Sequence, residues 1–238
     1  MFLKKFLKKD SQKIVEKTNI DGQEVIQLTV DYVKSHLQSE ASGHDWWHVY
    51  RVWKLSKYIA AKEGADLFVV QLAALLHDIA DWKFYGGDEE IGPETAKKWL
   101  NHFSLPGATI DHICQIIKDI SFKGAGVADK MESAEGKIVQ DADRLDAIGA
   151  IGIARCFAYG GNKNNPMHDP QFKPKMHNSS KEYFFSKTTS INHFYEKLFL
   201  LKDRINTQTG KKIAEKRHTF MKQFLDNFFL EWEAKDVE

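Results

Sequence analysis

Apolar residues recur at intervals of three and four along most of the chain, the period of a helix with one buried face. No alternating strand pattern runs beyond a few residues. Ile26, Val30, Val33 and Leu37 predict a helix over residues 23–37. Ala41-Ser42-Gly43 breaks it. A second helix is predicted over residues 45–63, with Asp45 placed to cap its start and Gly64 to end it. Residues 67–80 form a third, whose Leu72, Leu75, Leu76 and Ile79 share a core-facing side. Tyr85-Gly86-Gly87 is a turn. Residues 89–102 and 110–120 read as two further helices parted by Leu105-Pro106-Gly107. A long helix is expected over 134–158, stopped by Tyr159-Gly160-Gly161. Residues 190–207 and 210–232 close the chain as a helical pair. Residues 122–132 read as a polar loop, and 162–180 as a long irregular one, of the kind that tends to carry function. The fold class is all-α: one helical domain over residues 22–238, preceded by a basic N-terminal extension, 1–21.

Composition narrows the function classes. The 238 residues are 42% hydrophobic and 28% charged, as in an ordinary globular protein with a core. Lys+Arg number 34 against 33 Asp+Glu, a net charge of +1. No global field favours a nucleic acid polymer, so an anion must be held by a local cluster. The two cysteines, Cys114 and Cys156, lack the spacing of a zinc knuckle or redox pair, which favours a reducing, cytoplasmic setting. No apolar run reaches the roughly 18 residues of a membrane span. The opening stretch MFLKKFLKKDSQKIVEK is basic and amphipathic, suited either to an anionic surface or to docking as a helix, and membrane binding is not expected. Nothing in the pattern sets an oligomeric state.

Three stretches carry unusual polar chemistry. In LAALLHDIADW, His77 and Asp78 lie side by side in an oily segment. Burying an ionised carboxylate there is costly unless it is compensated, by a divalent cation or by a core histidine N–H. In GHDWWHVYRV, His44 and His48 are four apart, on one helical face. In DADRLD, three acids fall within six residues beside Ile138, Val139, Leu145 and Ile148. Asp141 and Asp143 point to opposite sides of a helix. Asp143 shares a face with Asp146 and Ala150, so Asp143 is the candidate ligand; a salt-bridged helix end is the other reading of the run.

The order of these motifs resembles the HD-domain superfamily of metal-dependent phosphohydrolases, whose pattern is H…HD…D. The matching residues are HxxRV at His48–Val52, LLHDI at Leu75–Ile79 and ADRL at Ala142–Leu145. The stretches FAYGG, PMHDP and HFYEKL…LKDRINTQTG…RH extend the resemblance over roughly residues 22–233, to a small bacterial branch that includes nucleoside triphosphate pyrophosphohydrolases. It implies an HD-type helical bundle with His48, His77, Asp78 and Asp143 as metal ligands and His44 in reserve. Two imidazoles and two carboxylates suit one divalent ion, with Mn²⁺ favoured and Fe²⁺, Ni²⁺, Zn²⁺, Co²⁺ or Mg²⁺ as alternatives.

Other residues are assigned around that ion. Asp81, four past His77, stands where several HD hydrolases carry a glutamate that activates water; as a shorter acid it is expected to share that task. Arg51 matches a family arginine that contacts phosphate or fixes ligand carboxylates, and Lys83, just past the metal-bearing stretch in sequence, is expected to bind a second phosphate. His44, Asp45 and Asp146 are expected to orient ligands. His168, in the second His-Asp dipeptide, and Lys202, on the closing helices, are assigned to the substrate side. Arg144 reads equally as a structural pair. Aromatic residues near the ligands, Trp46, Trp47, Trp53 and Trp82, allow stacking on a base or core packing. The expected activity is metal-dependent hydrolysis of a small phosphorylated substrate, a nucleotide, with triphosphate going to monophosphate and pyrophosphate. A phosphomonoesterase or phosphodiesterase of the same fold, and a non-catalytic nucleotide-binding module, are the alternatives.

Overall fold

The computed structural model describes residues 20–37, 45–80, 88–120, 130–176 and 188–237. Among these, nine α-helices and one 3-10 segment make up the fold, and no strand occurs. The helices are α1 (Gly22–Leu37), α2 (Trp46–Glu63), α3 (Leu67–Leu76), α4 (Ile91–Leu100), α5 (Gly107–Asp119), α6 (Ala134–Asp146), α7 (Gly149–Asn162), α8 (Ser190–Glu196) and α9 (Gln208–Trp232). The 3-10 segment, Leu198–Arg204, follows α8. No helix among the described residues is long and apolar enough to cross a membrane. Most of the extension expected at 1–21, and the turns expected at 41–43 and 85–87, lie outside the described residues.

The centre of the bundle is α3, whose residues Val69 to Leu76 are all buried. A helix apolar on every side needs neighbours on every side. It has them: α1, α2, α5 and α6 all pack against it. Helix α2 also packs along α6. The consecutive helices α2 and α3 and the later α6 therefore run side by side, and the candidate ligands lie on α2, on α6 and just past the end of α3. Helix α9 closes the bundle against α6, α7 and α2.

Local chemistry fixes the helix starts. Asp45 caps α2 by accepting from the His48 N–H at 2.9 Å, as its position predicts. Asp66 caps α3, Ser133 caps α6 and Thr207 caps α9. Gly64, at φ 76°, ends α2 in the left-handed conformation.

Four expectations about helices are corrected. The helix expected over 134–158 is two helices, with a break at Ala147-Ile148. Gly149 there has φ 77°, and a Cβ on it would lie 2.9 Å from Arg217 Cγ of α9. The turn needs a residue that tolerates positive φ and leaves room for the arginine. The second helix also runs through Gly160-Gly161 to Asn162 instead of stopping there. Gly160 serves close packing, since a Cβ on it would collide with Ser190 Oγ. Likewise α3 ends at Leu76, so His77 and Asp78 sit in the turn that follows it rather than within it. The closing helix expected over 190–207 is α8 plus the 3-10 segment.

The described part of the 162–180 loop is irregular, as expected, and is strapped to α8. Ser190 and Ile191 donate backbone N–H groups to the Pro166 and Met167 carbonyls. Asn192 Nδ2 donates to the Phe172 carbonyl, and Glu196 accepts from the Lys175 N–H.

Candidate metal centre

His48, His77 and Asp78 each offer a donor atom, all within 4.8 Å of one another. The Nε2 atoms of His48 and His77 are 3.3 Å apart. Asp78 Oδ2 lies 3.3 Å from His48 Nε2 and 3.4 Å from His77 Nε2. Asp143 Oδ1 approaches His48 Nε2 at 3.4 Å from α6. Donors that share one ion at about 2.0–2.1 Å stand roughly 2.9–3.4 Å apart, from octahedral to tetrahedral angles. The observed spacings fall in that range, so the mixed imidazole–carboxylate set fits one divalent cation.

Each imidazole commits its Nδ1 to an acceptor, which leaves Nε2 as the nitrogen that can bind a cation. His77 Nδ1 donates to the Ala74 carbonyl at 2.8 Å, a bond available because α3 has just ended. His48 Nδ1 donates to Asp146 Oδ2 at 2.8 Å. Hydrogen bonding of the second ring nitrogen is how proteins aim a metal-binding histidine. Asp146 is itself buried and held by two guanidiniums. Arg51 grips both of its oxygens, at 2.7 and 3.0 Å, and Arg155 Nη1 meets Oδ2 at 2.6 Å.

The charges at this centre favour a cation. Burial alone would push the His48 pKa down, yet hydrogen bonds to Asp143, Asp146 and Asp78 raise it to about 10. Burial also works against ionised Asp143 and Asp146, but the neighbouring His48, and for Asp146 the arginines, hold both below the ordinary carboxylate range. The carboxylates thus stabilise positive charge at His48 Nε2, where a divalent ion would replace the proton.

The HD-domain model matches residues 46–148, the span from the start of α2 past the end of α6. An HD-superfamily hydrolase from Bacillus thuringiensis is 42% identical, with a TM-score of 0.72 over 90% of this chain and 100% of that one. This chain belongs to the HD-domain superfamily. YpgQ of Bacillus subtilis, an uncharacterized protein, is 41% identical over 195 residues, 82% of this chain and 87% of YpgQ. A crystal structure of YpgQ in complex with ADP superposes with a TM-score of 0.69 at 34% identity, covering 87% of this chain and 94% of that one.

Within this HD domain, the three acids of DADRLD face three ways. Asp143 turns to the centre and Asp146 to His48 and the arginines. Asp141 is buried and accepts the Asn206 and Thr207 N–H groups and the Thr207 hydroxyl, tying α6 to the start of α9. Arg144 donates to the Arg204 carbonyl. Asp45 reaches the centre through the His48 backbone.

Other assigned residues make contacts of a different kind. The His168 ring stands edge-on to Phe228, Phe229 and Trp232 of α9, with centroids 4.8–6.0 Å away. Its Nδ1 is buried without a hydrogen-bond partner. The described contacts of His168 are thus with aromatic rings of α9. Lys202 pairs with Asp203 and Glu215, at 3.9 and 3.4 Å. Trp46 is buried, and Trp53 Nε1 donates to Gln71, so both serve packing. His44, Asp81, Trp82 and Lys83 lie outside the described residues.

Arg155 is the residue that sequence reasoning missed. It stands nine positions after Asp146, across the unforeseen break, where a helical arginine reads as a solvated side chain. The available signal was its place between Ile153 and Cys156 in an otherwise apolar, glycine-rich stretch.

Proposed function

We propose that this protein is a metal-dependent phosphohydrolase of nucleotides, converting a nucleoside triphosphate to the monophosphate and pyrophosphate. The observation that carries the reading is the clustering of donor atoms of His48, His77 and Asp78 within 4.8 Å of one another, with Asp143 Oδ1 3.4 Å from His48 Nε2 and the Nδ1 of each imidazole committed to an acceptor. Support for a nucleotide comes from YpgQ, which was solved with ADP.

His48, His77, Asp78 and Asp143 would hold the ion, Mn²⁺ by preference. Such an ion supplies Lewis acidity toward water and toward a phosphoryl oxygen. Arg51 is oriented by Asp146 and, with its side chain 32% exposed, offers its outer edge to a phosphate oxygen. Asp81, four residues past His77, is assigned to accept the proton of the attacking water, and Lys83 to hold a further phosphate oxygen. The water oxygen bonds to the α-phosphorus and the bond to the bridging oxygen breaks. Pyrophosphate leaves, and the displaced proton goes to Asp81 and then to solvent. Water is the only co-reactant.

A panel of nucleoside tri-, di- and monophosphates, assayed with Mn²⁺ and with chelator, tests this. The expected result is pyrophosphate release from triphosphates in the Mn²⁺ arm only. Phosphate release from a monophosphate would favour a phosphomonoesterase. Tight nucleotide binding with no turnover in either arm would make the centre a binding module.

A further inference from the structure

Trp46 and Trp47 are neighbours in sequence with opposite surroundings. Trp46 is buried, whereas Trp47, at 59% exposure, is the most exposed Phe, Tyr or Trp side chain among the described residues. The exposed ring is nevertheless held. Tyr50 meets it at 82°, with centroids 5.8 Å apart, and meets Trp53 at 70° and 6.3 Å. Trp46 also packs on Tyr50, at 6.0 Å. Trp53 Nε1 donates to the buried Gln71 of α3, 3.2 Å away. Trp47 thus ends an aromatic row whose other end is tied to the core. It is supported on one side and open to solvent on another, as a rigid stacking platform must be.

The platform stands beside the candidate metal centre. Trp47 directly precedes the ligand His48. It is also four residues before Arg51, so the two share a helical face and are parted by about 6 Å along the axis. Arg51 is the group assigned above to a phosphate oxygen. In a nucleotide one sugar ring separates the base from its first phosphate, a span comparable to one helical turn. The same solvent face continues with the exposed Lys54 and Tyr58. The sole acid of α2 is its last residue, Glu63, so no carboxylate of this helix opposes an anionic ligand along that face.

We propose that Trp47 is a specificity-determining residue that stacks on the base of a nucleotide whose phosphates lie at Arg51 and the centre. The inference rests on the nucleotide reading above and names the group that favours a nucleotide over a bare phosphate chain. Every base offers a π-face, so the ring selects for a base without selecting one base.

The test is binding, which separates it from turnover. ADP and inorganic pyrophosphate are titrated by calorimetry into the full-length protein loaded with Mn²⁺, as wild type, Trp47→Leu and Trp47→Phe. Stacking one base on an aromatic ring corresponds to about fivefold to a hundredfold in affinity. The wild type is expected to bind ADP more tightly than pyrophosphate by at least about fivefold. Trp47→Leu is expected to lose most of that ratio, with the affinities for pyrophosphate and Mn²⁺ and the thermal midpoint unchanged, because the side chain removed is exposed. Trp47→Phe, which keeps a smaller ring, is expected to recover part of it. Equal affinity of the wild type for the two ligands would overturn the proposal. A ratio that survives Trp47→Leu would overturn it too, and would leave the nucleotide reading standing with the base held elsewhere. So would a matched fall in ADP, pyrophosphate and Mn²⁺ affinity, which would make Trp47 a support of the centre. If gel filtration shows a dimer that Trp47→Leu dissolves while the ratio is kept, the ring is an interface between copies and the proposal fails. If the wild type binds neither ligand, the nucleotide reading falls and the inference with it. If the ratio is present in the wild type and lost in Trp47→Leu while no nucleotide is hydrolysed, the hydrolase reading fails and the role of Trp47 stands.

Discussion

The chain contains two His-Asp dipeptides, and the fold treats them oppositely. His77-Asp78 sits in the turn after a fully buried helix. The His77 Nδ1 is committed to a backbone carbonyl, and its Nε2 faces His48 and a carboxylate. His168-Asp169 sits in a loop strapped to α8. There the histidine is wedged against aromatic rings of α9, and Asp169 spends its side chain on the Gln171 N–H of its own turn. The two differ in what surrounds them rather than in the pair itself. A metal-binding dipeptide needs further ligands from other elements and a hydrogen bond that fixes the ring. The first dipeptide has both because α2 and α6 pack against α3.

The comparison breaks most sharply at the ligands. His77→Ala or Asp78→Ala is expected to weaken Mn²⁺ binding more than a hundredfold, measured by calorimetry, and to remove hydrolysis. His168→Ala should leave Mn²⁺ affinity within about twofold, because aromatic packing gives it no part in the centre. Equal losses from the two histidine variants would erase the distinction.

A smaller effect is expected one bond further out. Asp146→Asn keeps the shape but weakens the acceptor for His48 Nδ1. Supporting groups of this kind are worth about 10–100-fold in metal affinity. Asp141→Asn, on the same helix, should leave metal affinity alone. It loses charge-assisted bonds to the start of α9 and is expected to cost about 1–3 kcal/mol of stability, measured by denaturant unfolding. A fall in metal affinity for Asp141→Asn would mean that the two acids are not separated in function.

The break between α6 and α7 offers a gentler probe. Gly149→Ala places a Cβ at positive φ and against Arg217, and is expected to lower stability by about 1–3 kcal/mol. Thermal unfolding would show this as a shift of several degrees. An unchanged midpoint would mean that Arg217 moves aside freely. The smallest effect belongs to the second dipeptide: Asp169→Ala loses one exposed turn bond, about 0.5–1.5 kcal/mol at most, with no change in metal binding.

Much of this was readable in advance. The all-α class and the existence of most helices follow from periodicity, because a bundle buries one face of each helix. The four candidate ligands were named through the resemblance to the H…HD…D pattern, since the oily setting of His77-Asp78 by itself left a core hydrogen bond equally open. Asp45 was legible as a cap. The break after Asp146 was not: no proline or polar cap marks it, and Gly149 lies in GAIGIAR as if within a helix. Its reason is Arg217, about seventy residues away. Gly160-Gly161 reads as a stop by local rules, yet the glycine is there for Ser190 of a later helix. Arg155 was hidden for the same cause, since its partners come from α2 and α6 once the chain has turned. Long-range packing, not local propensity, decided each of these.

The most direct test of the account is a crystal of the full-length protein soaked in Mn²⁺ and measured for anomalous scattering. The account predicts a peak bonded to His48 Nε2, His77 Nε2, Asp78 and Asp143, and none at His168-Asp169. Density that leaves these four side chains without a shared ion, or places the metal at the second dipeptide, would contradict it.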